Sequence, residues 1–145
     1  MKILVKKLCE EAILPTYGTE ASAGADLYAL PGEDITVLPG ETVKVRTGLA
    51  MEIPTGFGGF IFARSGLATK KGLAPANKVG VIDADYRGEI LVALYNQSGE
   101  SQTVLGGERI AQLVLLPVTQ GEFLEAESLS ETQRGEGGFG STGRK

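Results

Sequence analysis

The chain has 145 residues, 42% hydrophobic and 22% charged, which suits one globular domain and excludes a disordered chain. Its 14 basic and 18 acidic residues leave a formal charge of −4, which argues against an extended nucleic-acid surface but not against a local cationic site for a small phosphate ligand. A single cysteine, Cys9, and the absence of histidine exclude an internal disulfide, zinc held by Cys or His, and His-activated nucleophiles.

Any catalysis must therefore rest on carboxylates, Arg, Lys, Tyr, hydroxyls or a metal brought by the substrate. The opening "MKILVKKLCE" is broken by lysines and does not read as a signal peptide. No apolar run reaches membrane-spanning length, so a cytoplasmic protein without a membrane partner is expected.

In chain order, the pattern predicts short strands at 2–8, 25–30 and 34–38, the last two closed by Pro31-Gly32 and Pro39-Gly40. The stretch 42–53 alternates, with Val43, Val45, Thr47 and Leu49 on one face, and reads as one longer strand. Further strands are predicted at 57–63, 78–82, 88–96, 102–105 and 109–118. Only "SGLATKK" at 65–71 suggests a helix, of two turns at most. Many short strands separated by Gly and Pro point to an all-β barrel or sandwich. From Ser128 onward apolar residues almost vanish, and composition predicts a mobile tail.

Four stretches carry polar residues where chemistry could sit. "GVIDADYRGE" at 80–89 reads either as a solvated hairpin tip or as the seat of a general base, with Asp83 and Asp85 on one face if the segment is extended. "ARSGLA" at 63–68 sets a cation, a hydroxyl and a glycine at the start of the candidate helix: an ordinary capped helix or an anion site. Gln112 lies in an otherwise apolar run and needs a partner, as does Asp26 among small apolar residues in "SAGADLYA". With the glycine-rich arm and its Arg134, the set suits a polyphosphate ester substrate.

"SAGADLYA", "RSGLA", "GVIDADYRGE", "GERIAQLV" and "RGEGGFGSTG", in this order, resemble the five motifs of the trimeric deoxyuridine triphosphatase (dUTPase) family, from about residue 22 to 143. The resemblance implies a distorted jelly-roll-type β-barrel (residues 1–130) with one short helix. It also implies a flexible glycine-rich C-terminal arm (residues 131–145) that completes an active site, and a homotrimer with its sites between subunits. The implied reaction is hydrolysis of dUTP to dUMP and pyrophosphate, which keeps uracil out of DNA and supplies dUMP for thymidylate synthesis. No nucleic-acid partner is expected.

Carried over residue by residue, Asp83 orients and activates a water that attacks the α-phosphorus, and Tyr86 lies against the deoxyribose. Asn77, Gly80, Val81 and Ile82 read uracil, largely through backbone, in a tight hairpin. Arg64, Ser65, Gly66 and Gln112 hold phosphates. Arg134, Ser141 and Thr142 hold the terminal phosphate, Phe139 stacks over uracil, and Gly140 is a further substrate-binding position. Mg²⁺ is held mainly by phosphates and water, with Asp26 either a water-mediated contact or a structural partner. Lys78, beside Asn77, departs from the apolar or small residue expected there.

Two alternatives belong to the same resemblance: a dCTP deaminase-related enzyme, for which Pro-Gly after the aspartate is expected where this chain has "DADYRG", and a nucleotide-sensing regulator without turnover. The tail also fits G-x-G-x-x-G from Gly135 to Gly140. The dinucleotide motif requires a strand before it and a helix after it, and neither is predicted here.

Overall fold

The computed structural model describes residues 1–32 and 34–138. The chain runs β1 (Leu4–Lys7), β2 (Thr16–Tyr17), β3 (Ala25–Tyr28), β4 (Ile35–Val37), β5 (Thr42–Arg46), β6 (Leu49–Glu52) and β7 (Phe57–Phe62). It continues through α1 (Ser65–Lys70), β8 (Leu73–Pro75), β9 (Gly80–Ile82), β10 (Leu91–Asn96), β11 (Gln102–Val104) and β12 (Arg109–Pro117). The expected all-β architecture with one short helix is what the chain adopts. Two short strands, β2 and β8, escaped the sequence pattern because neither is long enough to show an alternation.

The strands form four sheets, ordered β1-β6, β5-β10-β8, β11-β4 and β2-β3-β12-β7-β9, with every pairing antiparallel. Among the described residues no ladder closes on itself. The distorted jelly-roll barrel is made by sheets wrapped around one core that joins Leu27, Val45, Leu49, Leu94, Val104 and Ile110. Each such aliphatic side chain removed from water contributes about 1.5–3 kcal/mol. The core also holds two buried polar residues, Thr47 and Asn96. Asn96 is satisfied: its amide donates to the Val37 and Glu100 carbonyls at 2.9 and 2.7 Å, and its oxygen accepts from the Ser98 N–H at 2.9 Å.

The stretch 42–53 is not one strand. Its alternation does place Val45, Thr47 and Leu49 inside, but the chain breaks at Gly48, whose φ is +69°. A Cβ there would lie 2.8 Å from Leu30 Cδ1 and 2.9 Å from Ala12 Cβ, so the corner admits only glycine. β5 then pairs with β10 while β6 pairs with β1. Hydrophobic period alone cannot reveal such a corner, because Val45, Thr47 and Leu49 keep the alternation across it, although β6 buries Leu49, Ala50 and Met51 in succession.

The five-stranded sheet positions the chemistry. β12, its longest strand, lies between β3 and β7, with Gln112 opposite Asp26 on one side and Phe62 on the other. β9, at the sheet edge, leads into the Asp83 turn. After Pro117 the described chain carries no further strand or helix, and Phe123 stands 98% exposed.

Candidate active site

Asp26, Arg64, Ser65, Arg109 and Gln112 line one polar cleft. Arg64 lies two residues after β7 and occupies the N-cap of α1 in an extended conformation, with no side-chain cap on the helix. Ser65 is thus the first helical residue, not the cap. Arg64 Nε lies 2.7 Å from Asp26 Oδ1, and Arg109 Nη1 lies 3.3 Å from Asp26 Oδ2. Asp26 is therefore the shared counter-ion of two arginines and answers the partner question raised by its apolar surroundings. Each of its oxygens faces a guanidinium, and that positive charge leaves it poorly suited to ligate a metal cation directly. Among the described residues no group of three or more His, Cys, Asp or Glu could hold a metal ion.

Gln112 donates from Nε2 to the Ala63 carbonyl at 2.9 Å, the backbone partner its position required. Its Oε1 lies so near Gly24 that a Cβ there would come within 2.5 Å. Gly66, by contrast, faces open space among the described residues: beyond its own helix backbone and chain neighbours, an added Cβ would meet nothing within 4 Å.

Arg109 belongs to this cluster and sequence reasoning did not single it out. Three positions before Gln112, it should point to the opposite face of a regular strand. A register shift between Arg109 and Ala111 re-phases the strand, so Ile110 and Ala111 are both buried and Arg109 turns toward Asp26. The bulge is the missing signal, and a strict period-2 pattern does not contain it.

Asp83 stands elsewhere. It follows β9 and starts a turn in which the Tyr86 N–H donates to the Asp83 carbonyl at 3.1 Å. Asp83 and Asp85 are therefore not on one face of an extended segment. Nor is 83–90 a hairpin tip: β9 pairs with β7, and β10 pairs with β5 and β8. Asp83 is exposed, and among the described residues its carboxylate has no hydrogen-bond partner. Tyr86 is half-exposed and donates from its hydroxyl to the Glu89 carbonyl at 3.0 Å.

A cleft of about 910 Å³ brings Val81, Ile82, Asp83 and Arg87 together with Phe57 and Phe60. Among the described residues it shares no lining residue with the Asp26–Arg64 cleft. Within one chain, then, the carboxylate and the arginines serve separate cavities.

Asn77, Gly80, Val81 and Ile82 lie at and after a tight reversal, but not in a hairpin, because β8 and β9 pair in different sheets. The Lys78 N–H donates to the Pro75 carbonyl at 3.0 Å, and the Val79 N–H to the Asn77 carbonyl at 2.8 Å. Val81 is exposed and Ile82 is buried. Arg134 donates from Nε to the Gly137 carbonyl at 2.8 Å within its own turn. Phe139, Gly140, Ser141 and Thr142 lie outside the described residues.

The dUTPase family model matches residues 10–143. A deoxyuridine 5'-triphosphate nucleotidohydrolase of Desulfitobacterium hafniense is 60% identical over 131 residues, covering 90% of this chain and 87% of that protein. A protein of the same name from Hydrogenobaculum sp. is 52% identical over 145 residues and covers 100% of both chains. Among solved structures, Staphylococcus bacteriophage 80alpha dUTPase with dUPNHPP superposes with a TM-score of 0.86 at 29% identity, covering 98% of each chain. A variant of the dUTPase from phage phi11 of S. aureus, whose structure concerns coordination of a structural Mg(II) ion, gives 0.78 at 25% identity, covering 88% of this chain and 98% of that one. Motifs, fold and relatives agree, and the chain belongs to the dUTPase family.

Proposed function

We propose that this protein hydrolyses dUTP to dUMP and pyrophosphate, keeping uracil out of DNA and supplying dUMP for thymidylate synthesis. The observation that carries the reading is the exposed Asp83 carboxylate, without a protein partner among the described residues, next to a Tyr86 ring held by its own hydroxyl. A carboxylate is a weak base at neutral pH, so its use here is to orient a water toward the α-phosphorus and accept its proton as the bond forms. Positioning then supplies most of the rate.

Arg64, Ser65 and Gln112 hold phosphate oxygens from the Asp26 cleft, with Arg109 beside them. Gly66 leaves the phosphates room to approach the backbone. Asn77, Gly80, Val81 and Ile82 read uracil, and Tyr86 occupies the space a 2′-hydroxyl would need. Mg²⁺, carried by phosphate oxygens and water, neutralises charge on the triphosphate when bound. The donor set fits such a substrate-borne ion: Asp26 is committed to two arginines, and any contact it makes with the metal runs through water.

The separation of the two clefts on one chain supports sites shared between subunits, each taking Asp83 from one subunit and Arg64 from another, in the homotrimer that the family resemblance implies. Residues 131–145 act as an arm over the bound nucleotide, Arg134, Ser141 and Thr142 on the terminal phosphate and Phe139 over the base. The protein works in the cytoplasm on a small-molecule substrate.

Pyrophosphate release, assayed across the four standard dNTPs, dUTP and UTP with and without Mg²⁺, tests the reading. Release from dUTP alone, dependent on Mg²⁺, is the expected result. Ammonia from dCTP would make it a deaminase, and dUTP binding without release would make it a sensor.

A further inference from the structure

The Tyr86 ring is held on two sides. Its hydroxyl donates to the Glu89 carbonyl at 3.0 Å. The ring also lies over Gly88 so closely that a Cβ there would fall 2.6 Å from Tyr86 Cζ. The carbonyl that receives the hydroxyl is itself anchored. Glu89 reaches across to the β5–β6 corner, where Oε1 accepts from the Gly48 N–H at 2.9 Å. Arg46 Nε lies 3.1 Å from Oε1 and 3.2 Å from Oε2. The following residue is tied to the same corner: Thr47 Oγ1 donates to the Ile90 carbonyl at 2.7 Å, and the Ile90 N–H donates to the Leu49 carbonyl at 2.8 Å.

These contacts differ in weight. Arg46 is 59% exposed, so its ion pair with Glu89 is screened by water and contributes little. The Gly48 N–H is different. It belongs to a buried glycine at a corner that cannot shift, and its bond to a carboxylate is charge-assisted. A continuous linkage thus runs from the barrel core through Gly48 and the Glu89 carboxylate to the Glu89 carbonyl and the Tyr86 hydroxyl.

We propose that Glu89 is a positioning residue for sugar discrimination. Seated on the Gly48 N–H, it fixes the carbonyl that holds the Tyr86 hydroxyl and so sets how far the ring can retreat from a substituent at C2′ of a nucleoside triphosphate. This rests on the assignment of Tyr86 as the sugar contact. A ring free to swing aside discriminates poorly against an added hydroxyl; a ring tied at its far end does not yield.

The test measures kcat and KM for dUTP and UTP by pyrophosphate release on the intact assembly, for wild type, Glu89→Ala, Glu89→Gln, Tyr86→Phe and Tyr86→Ala. Glu89→Ala lowers the dUTP/UTP ratio of kcat/KM by about tenfold, a fraction of the roughly hundredfold a yielding pocket achieves. Glu89→Gln, whose amide oxygen still accepts from Gly48, restores most of it. Tyr86→Phe cuts the same linkage at its other end and lowers the ratio too, which keeps the test decisive if Glu89→Ala does not fold. Equal losses on both substrates, or an unchanged ratio in Tyr86→Phe, would overturn the proposal. Should Tyr86→Ala alone change the ratio, Glu89 loses its role and the sugar contact stands. If neither Tyr86→Ala nor Glu89→Ala changes it, both are wrong.

Discussion

Asp26 sits between two guanidinium groups, 2.7 Å from Arg64 Nε and 3.3 Å from Arg109 Nη1, and orients both toward one cleft. Replacing it by Asn keeps the volume and removes the charge. The arginine side chains are partly solvated, so the loss lies between that of a surface pair and a buried one, about 1–2 kcal/mol. Urea denaturation should report that decrease. The KM for dUTP should rise as well if this cleft holds the phosphates, because Arg64 and Arg109 lose their common anchor. An unchanged KM would show that Asp26 serves only the fold.

Gly66 separates folding from binding in the other direction. Among the described residues, nothing outside its own helix backbone and chain neighbours lies within 4 Å of the place a Cβ would occupy, and the residue lies in the first turn of a helix. Gly66→Ala should therefore leave stability unchanged or raise it by up to about 1 kcal/mol through helix propensity. The new methyl should nevertheless raise the KM for dUTP at least tenfold if phosphate approaches the backbone there. Thermal unfolding and steady-state kinetics on one preparation give both numbers. A wild-type KM would remove Gly66 from the site.

These two residues also show what the chain discloses about itself. Asp26 was legible as a carboxylate needing a partner, and Gly66 as a glycine beside Arg and Ser, because each is conspicuous among its neighbours. Arg109 was not, since its side-chain direction depends on a bulge that breaks the strand period. The division of 42–53 at Gly48 was hidden for a related reason: the alternation continues across the corner while the pairing partner changes. Periodicity reports which face is buried. Which sheet a strand joins depends on contacts distant in sequence, and those lie in the packing.

Lys78 has a positive φ of 67° and is the one non-glycine with such a value among the described residues. The bond from the Val79 N–H to the Asn77 carbonyl closes a three-residue turn around it, a γ-turn of the strained, positive-φ kind. The side chain is exposed, so packing does not require lysine. Lys78→Gly should raise stability by about 0.5–1 kcal/mol, the relieved strain being partly offset by the freer unfolded chain. Lys78→Val should lower it by more than about 1 kcal/mol, since a β-branched residue resists this region. Chemical denaturation midpoints decide the matter, and the opposite order would show that the lysine side chain holds the turn.

Asp83 carries the sharpest prediction. Its carboxylate has no hydrogen-bond partner among the described residues, and its backbone carbonyl already closes the turn to Tyr86. Asp83→Asn leaves that backbone bond in place and removes only the charge and the proton acceptor. Stability should stay within about 0.5 kcal/mol of wild type, as for an exposed substitution outside any network. The dissociation constant for a non-hydrolysable dUTP analogue should change by less than a few-fold. Turnover should fall by at least about 10²-fold, the scale of a lost general base. Calorimetric binding and pyrophosphate release test the two halves separately. Near-normal turnover would move the base elsewhere. A large loss of binding would instead mean that Asp83 grips the nucleotide and that activating the water is another group's task.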